Sequence, residues 1–262
     1  MTAGLLVLAA LVVTALAGVW LAADSPWQMR LSEGLLGPSA AHPLGQDKLG
    51  RDVLARLVYG ARVSLLVSLA TVVFSVGIGV AVGAAAGFLG GKTDFVLMRL
   101  VDVLLAFPGL LLAIALAAAL GPGLANVVLA LTVIGWTGYA RLVRAEVLAV
   151  RSREHVEAAV ALGATRLRVL AMHILPLTIA PLLVQACVGM AGAVVAEASL
   201  SFLGLGVQPP TPSWGSMLAE GRSFLVEAPH LVVAPGIAIT LVVLGLTLLG
   251  DGLRDFLDVR SR

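Results

Sequence analysis

Residues 151–176 read RSREHVEAAVALGATRLRVLAMHILP, and this stretch decides how the rest of the chain is read. It is the longest hydrophilic interval in the second half of the sequence, and apolar segments flank it on both sides. Val156, Ala159, Val160 and Leu162 recur at near-helical spacing among the charged Arg153, Glu154 and Glu157, which predicts a short amphipathic helix. Gly163 ends the pattern as a helix terminus would. A second run, 165–173, climbs back into apolar sequence. Pro176 stands where the first turn of a new helix tolerates proline.

The flanking sequence identifies the solvent. The 262 residues are 60% hydrophobic and only 12% charged, too little charge to cover a soluble core of that size. A bilayer is the expected environment. A net charge of +2, with no basic run carrying interleaved aromatics, gives no reason to expect nucleic acid. The single cysteine, Cys187, lies in an apolar run and reads as a small hydrophobe.

Six apolar stretches suit membrane spans: residues 5–22, 63–89, 95–120, 124–139, 176–200 and 231–249. The first lacks the basic n-region of a signal peptide and exceeds a usual h-region, so a retained helix is expected. Residues 24–62 form a polar loop with turns at Gly45 and Gly50, and Asp52 is placed to cap a helix through Leu54, Leu57 and Val58. His42, Asp47 and Asp52 match no ligand spacing, so a loop held by local hydrogen bonds is expected there and not a metal site. Gly79, Gly83 and Gly87 make small-xxx-small faces that let helices approach closely in lipid. Gly90-Gly91-Lys92-Thr93 imitates the end of a phosphate-binding loop. Ala86 stands at its first glycine position, and the residues before it read as membrane helix, so no ATPase is expected on this chain.

Within the third span Arg99 and Asp102 are three apart and expected to pair, with a pathway role as the alternative. Pro108 is expected to kink that span. Trp136 and Tyr139 are expected at the membrane interface, and Gly189 and Gly192 at close-packing positions. Arg141, Arg144, Arg151, Arg153, Arg166 and Arg168 form the densest basic cluster. By the positive-inside rule their loop is cytoplasmic, and six spans then put both termini inside. Arg30, Lys48, Arg51, Arg56 and Arg62 in the first outer loop fit that rule less well. Glu197 near the outer end of the fifth span is expected either to touch solute or to cap and pair at the mouth. In residues 201–227 the prolines and glycines forbid a spanning helix, yet Phe202, Leu203, Leu205, Val207 and Trp214 are too apolar for a solvated loop. A segment packed at the membrane face or re-entrant in protein is expected.

Glu157-Ala158-Ala159, three residues, Gly163, nine residues, then His173, Ile174, Leu175 and Pro176 resemble the EAA loop of permease subunits of ATP-driven (ABC-type) importers. His173 departs from the usual Ile, a variant that resembles the peptide and nickel branch. His42, Pro43, Leu44, Gly45, Asp47, Gly50, Arg51, Asp52, Gly60, Ala61 and Arg62 resemble the segment after the first helix in the C-type permease of that branch, as do Glu197 to Gly206 and Pro212-Ser213-Trp214-Gly215. The resemblance implies an all-α integral membrane protein with six transmembrane helices, the type I importer permease fold and both termini cytoplasmic. It implies residues 1–61 as first helix plus outer loop, 62–255 as permease core with its coupling loop at 151–176, and 256–262 as a cytoplasmic tail.

The same resemblance implies a multi-pass protein of a bacterial-type inner membrane, non-catalytic, importing peptides, nickel or a related solute. A second homologous permease, two ATPase subunits, an extracytoplasmic solute-binding protein and membrane lipid are the implied partners. No cofactor is expected on this chain; ATP and Mg are expected on the ATPases. His155, Val156, Glu157, Ala158, Ala159, Leu162 and Gly163 are the implied ATPase-docking residues. Arg99, Asp102, Glu197 and Trp214 are candidates for pathway or gate. The alternative, a stand-alone secondary transporter or channel, lacks inverted helix-breaking repeats. An intramembrane enzyme would need a motif such as HExxH or Gly-x-Ser-x-Gly, and none occurs.

The orientation gives a direct expectation. In intact cells a Ser152→Cys, Cys187→Ala variant should resist an impermeant maleimide and react only after permeabilisation. Labelling from outside would reverse the assignment.

Overall fold

The computed structural model describes residues 25–258. The expected span at 5–22 and the last four residues lie outside the described residues. Within them the fold is helical, and four helices are long and apolar enough to cross a membrane. A bent helix pair makes a fifth candidate.

The first long helix, α1, is Val53–Leu89. Its start is set by Asp52, whose carboxylate accepts from the Ala55 amide at 2.6 Å, the expected N-cap. The 37 residues extend roughly 55 Å at 1.5 Å per residue, well beyond a hydrocarbon core of about 30 Å. The expected span therefore continues as one rod through the 61/62 boundary and into the preceding loop. Gly90, at φ 65°, ends it, because a positive φ suits glycine and few other residues.

Next come α2 (Gly91–Leu105) and α3 (Gly109–Leu120). Sequence reading expects a single kinked span here. The chain instead breaks at Ala106–Pro108 and turns by 85°. Pro108 lacks the amide a continuing helix needs and disfavours helical geometry in Phe107 before it.

Helix α4 (Leu124–Arg151) runs a dozen residues past its expected end and packs along α1. The seam is made by glycine. A Cβ at Gly79 would collide with Tyr139, and one at Gly83 with the Ala140 carbonyl. One at Gly87 would sit 2.9 Å from the Arg144 carbonyl. Gly77, off the seam, faces open space. Trp136 and Tyr139 lie inside this packing at 8% and 5% exposure, which corrects the expectation that they sit at the membrane interface. The side that each faces, and not its aromatic character, fixes its place.

After α4 comes the short α5 (Glu154–Ala161). Helix α6 (Arg166–Phe202) includes a π-helical stretch at Val169–Ile174. A hairpin-like excursion then carries α7 (Trp214–Gly221), and α8 (His230–Asp258) closes the bundle. Residues 250–258, beyond the expected end of the sixth span, are thus helix, with Gly250 against Cys187. Leu66, Leu69, Val73 and Phe74 stay exposed on α1, as a lipid-facing surface requires. The N-terminal end of α1 packs with α6, α7 and α8 around Trp214 and Met217. Its C-terminal end packs with α4 and the start of α6 around Val143, Val147 and Ile174.

The segment before α1 is held by polar contacts. Gly45 and Gly50 make its turns at φ 76° and 69°. Asp47 accepts from Arg51 Nε at 2.6 Å and from Arg56. Both arginines also reach Glu220 on α7, each at 2.8 Å. His42 Nδ1 meets Asp52 at 2.7 Å.

If the glycine seam sets the helix spacing, Gly83→Leu must force α1 and α4 apart at a cost of about 1–3 kcal/mol. Thermal melting in detergent, followed by size-exclusion chromatography, should show a lower midpoint for Gly83→Leu and an unchanged one for Gly77→Leu. Equal midpoints for the two variants would rule the seam out.

Candidate coupling segment

The hydrophilic loop becomes a compact structure between two long helices. Arg153 turns the chain out of α4 in extended geometry, and α5 begins at Glu154. Two carboxylates, Glu154 and Glu157, occupy its first turn, where the helix dipole favours negative charge. Its end is a Schellman motif: the Gly163 amide donates to the Val160 carbonyl at 2.9 Å and the Ala164 amide to Ala159 at 3.1 Å. Gly163 takes φ 82°, the left-handed conformation that glycine adopts without a Cβ clash.

Val156 fixes the helix to the body. It is 3% exposed and joins Val147, Val150, Val169 and Ile174 in one apolar cluster. Ala159 also turns inward, at 9% exposure. His155, Glu157 and Ala158 face out. Leu162 stands at the tip, 89% exposed, with Leu167 at 75% nearby. So the two alanines of Glu-Ala-Ala differ: Ala158 belongs to the open ridge, and Ala159 lets the helix lie close to the protein. Thr165 then caps the next turn by accepting from the Arg168 amide. The chain passes through the π-helical stretch, where the Leu175 amide reaches back to the Leu170 carbonyl. Pro176 follows it, and proline has no amide with which to continue a regular ladder.

The other expected residues stand elsewhere. Asp102 does not pair with Arg99; it accepts from Arg141 on α4 at 2.6 Å. Arg99 instead lies over the Phe95 ring, 5.4 Å from its centroid, a contact worth about 0.5–1 kcal/mol when exposed. Both i,i+3 geometry and an inter-helix partner were open to Asp102, and the longer-range one prevails. Asp94 and Arg144 form a second link between α2 and α4, at 2.6 Å. Arg151 donates to the Gly87 carbonyl at 3.0 Å. Half of the basic cluster therefore serves the joints of the bundle.

Glu197 is 1% exposed. Ser201 Oγ donates to its Oε1 at 2.7 Å, and the hydroxyls of Ser64 and Ser213 face the same carboxylate. Trp214 lies beside this group, 1% exposed, with its indole Nε1 donating to the Leu57 carbonyl at 3.0 Å. Its backbone amide reaches Ser64 Oγ at 3.3 Å. These contacts join α1, α6 and the start of α7. Solute contact and pairing at the mouth are the two expectations for Glu197; serines of the fold surround its carboxylate, and its Oε2 is buried without a hydrogen-bond partner. Among the described residues no group of acidic, histidine or cysteine side chains could hold a metal. Asp47 and Asp52 are engaged by Arg51, Arg56 and His42 instead.

Residues 77–262 match the family described as the binding-protein-dependent transport system inner membrane component. The chain belongs to that family. The permease is 42% identical to the dipeptide transport system permease protein of Alkalihalophilus pseudofirmus, over 99% of this chain and 85% of the relative. It is 45% identical to the di/tripeptide transport system permease protein of Pseudomonas aeruginosa, over 99% and 88%. It is 46% identical to the glutathione transport system permease protein of Pectobacterium atrosepticum, over 89% and 76%.

The fold is similar to that of the MetNI methionine ABC transporter in an inward-facing conformation. The TM-score is 0.63 at 19% identity, covering 76% of the permease and 94% of that chain. The permease is thus a multi-pass, membrane-spanning subunit of an ABC importer and not a stand-alone transporter. It is non-catalytic, and the ATPase resides on separate subunits.

The burial of Trp214 yields a spectroscopic expectation. With Trp20, Trp27 and Trp136 replaced by Phe, the remaining emission should be blue-shifted and shielded from iodide in the purified protein. A red-shifted, freely quenched Trp214 would contradict the packing described here.

Proposed function

We propose that this permease forms half of a path for di- or oligopeptides across a bacterial inner membrane, and that α5 is the element its ATPase grips. Peptide is favoured over nickel because the similar relatives carry dipeptide, di/tripeptide and glutathione in their names. The observation that carries the coupling role is the exposed ridge of α5. It stands out from the bundle with Leu162 at its tip, yet it is seated by Val156 in the same apolar cluster as α4 and α6. A partner holding the ridge therefore holds two long helices.

In this reading a second homologous permease completes the path, and two ATPase subunits bind ATP and Mg. A binding protein delivers solute from outside. The α5 end and both termini are cytoplasmic, and the α7 end is extracytoplasmic. Closure of the ATPases around ATP draws the two coupling ridges together and rocks the spans between inward-open and outward-open states. His155, Glu157, Ala158 and Leu162 supply the contact surface. Val156, Ala159 and Gly163 shape it from behind.

Ala158→Arg adds a long charged side chain to the exposed ridge without touching the buried face, so it tests docking more cleanly than a change at Ala159. Gly163→Val imposes a β-branched residue on a positive φ. Both variants should insert and retain the sister permease while losing ATPase copurification and peptide uptake. Glu157→Ala should be milder, since an exposed ion pair contributes about 0–1 kcal/mol. Full ATPase retention and uptake in both Ala158→Arg and Gly163→Val would remove the basis for the coupling role.

A further inference from the structure

Two hollows meet at the α5 end of the bundle. The first is a polar pocket of about 430 Å³, lined by Arg151, Ser152, Glu157 and Arg166. The second is an apolar groove of about 420 Å³ between α1 and α6. Ala81, Ala84 and Ala85 line it from α1, and Leu170 and Leu175 from α6. Phe88 and Arg166 line both hollows, so the groove opens beside the pocket.

The groove follows α1 from Val80 to Leu89. The helix rises about 14 Å over that interval, close to half of a hydrocarbon core of about 30 Å, which is the depth of one leaflet. Charge begins where the groove ends. Arg151 donates to the Gly87 carbonyl there, and the Asp94–Arg144 link follows just past the end of α1. Leu89 and Leu167 stay exposed at the rim, at 59% and 75%. The guanidinium groups differ in what they hold. Arg141 and Arg144 engage carboxylates of α2. Asp94, the carboxylate near Arg151, is already held through both oxygens by Arg144. The Arg166 side chain has no hydrogen-bond or ionic partner among the described residues. With Glu157 counted against Arg151 and Arg166, the pocket wall carries a net positive charge.

We propose that pocket and groove together bind one anionic glycerophospholipid of the adjoining leaflet, with an acyl chain along α1 and the phosphate between Arg151 and Arg166. The forked donors of arginine match phosphate oxygens, and basic pockets at the membrane surface recognise anionic headgroups in this way. A glycerol headgroup adds hydroxyls that can donate to Glu157 and brings no cation toward the arginines. A covering protein would have to present a carboxylate and an apolar edge one leaflet long in the same place; a phospholipid carries both parts in one molecule. Bound there, it ties α1 and the end of α4 to α6 behind the ridge of α5. The proposal rests on the membrane setting of the permease, not on the solute or on the role of α5.

The test uses the purified transporter with its ATPase subunits in detergent. Phosphatidylglycerol with a photoactivatable acyl chain is added, and labelled residues are mapped by mass spectrometry. Labels should fall on the 81–89 and 167–175 stretches, and the phosphatidylcholine analogue should give about fivefold less. Arg166→Gln should abolish that preference, and Arg166→Lys, which keeps the charge, should retain most of it. Ala81→Phe fills the groove while leaving every charge in place. It should lower labelling at Leu170 and Leu175, and it carries the test if Arg166→Gln does not assemble. Equal labelling by the two lipids means ordinary bilayer contact, and a preference that survives Arg166→Gln means that the charge is read elsewhere. An unlabelled groove means that another subunit covers it. Each of these results, or undiminished labelling in Ala81→Phe, overturns the proposal; the coupling reading is judged separately by ATPase copurification.

Discussion

The close approach of α1 to α4 is the constraint on which the rest of this structure depends. In lipid the hydrophobic effect does not press helices together, so their association needs dense van der Waals contact and a few polar links. Gly79, Gly83 and Gly87 provide that density by removing side chains between two backbones. The spacing then brings Asp94 and Asp102 on α2 to Arg144 and Arg141 on α4. It also lets Arg151 cap the end of α1 through the Gly87 carbonyl. The apolar cluster that seats α5 is assembled from Ala84, Val143 and Val147 of the same two helices. A wider helix pair would leave Val156 without its socket.

The two ends of the bundle are closed by different chemistry. At the α5 end an apolar cluster holds a short helix whose other face is left open. At the α7 end an apolar cluster around Trp214 and Met217 is joined by a polar knot. Glu197 sits among serines, Trp214 donates to Leu57, and Arg51 and Arg56 share Asp47 and Glu220. Apolar packing tolerates small shifts because it is non-directional. Hydrogen-bonded ion pairs are directional, and breaking one when buried costs about 3–5 kcal/mol.

Much of this was legible in the sequence because it depends on local pattern. The Asp52 cap, the turns at Gly45 and Gly50, the glycine face of α1 and the left-handed Gly163 each follow from residue type and spacing. The misreadings share one cause: a single strand of sequence does not say which side of a helix meets a neighbour. Asp102 had a partner three residues away and took one on another helix. Trp136 and Tyr139 had the composition of an interface and became core. Pro108 announced a break but not its angle of 85°. The alanines of the coupling ridge looked equivalent, although only one is exposed.

The ionic knot at the α7 end bears on how the protein is made. Glu220 follows Arg51 by 169 residues and Arg56 by 164. A chain is synthesised from its N-terminus, so both guanidinium groups emerge with Asp47 as their one nearby carboxylate in the finished knot. Two cations cannot leave water cheaply with a single anion. They must stay hydrated while α2, α3, α4, α5 and α6 are inserted, and they become buried when α7 arrives with the second carboxylate. The part of the described chain that is translated first is thereby among the last to fold.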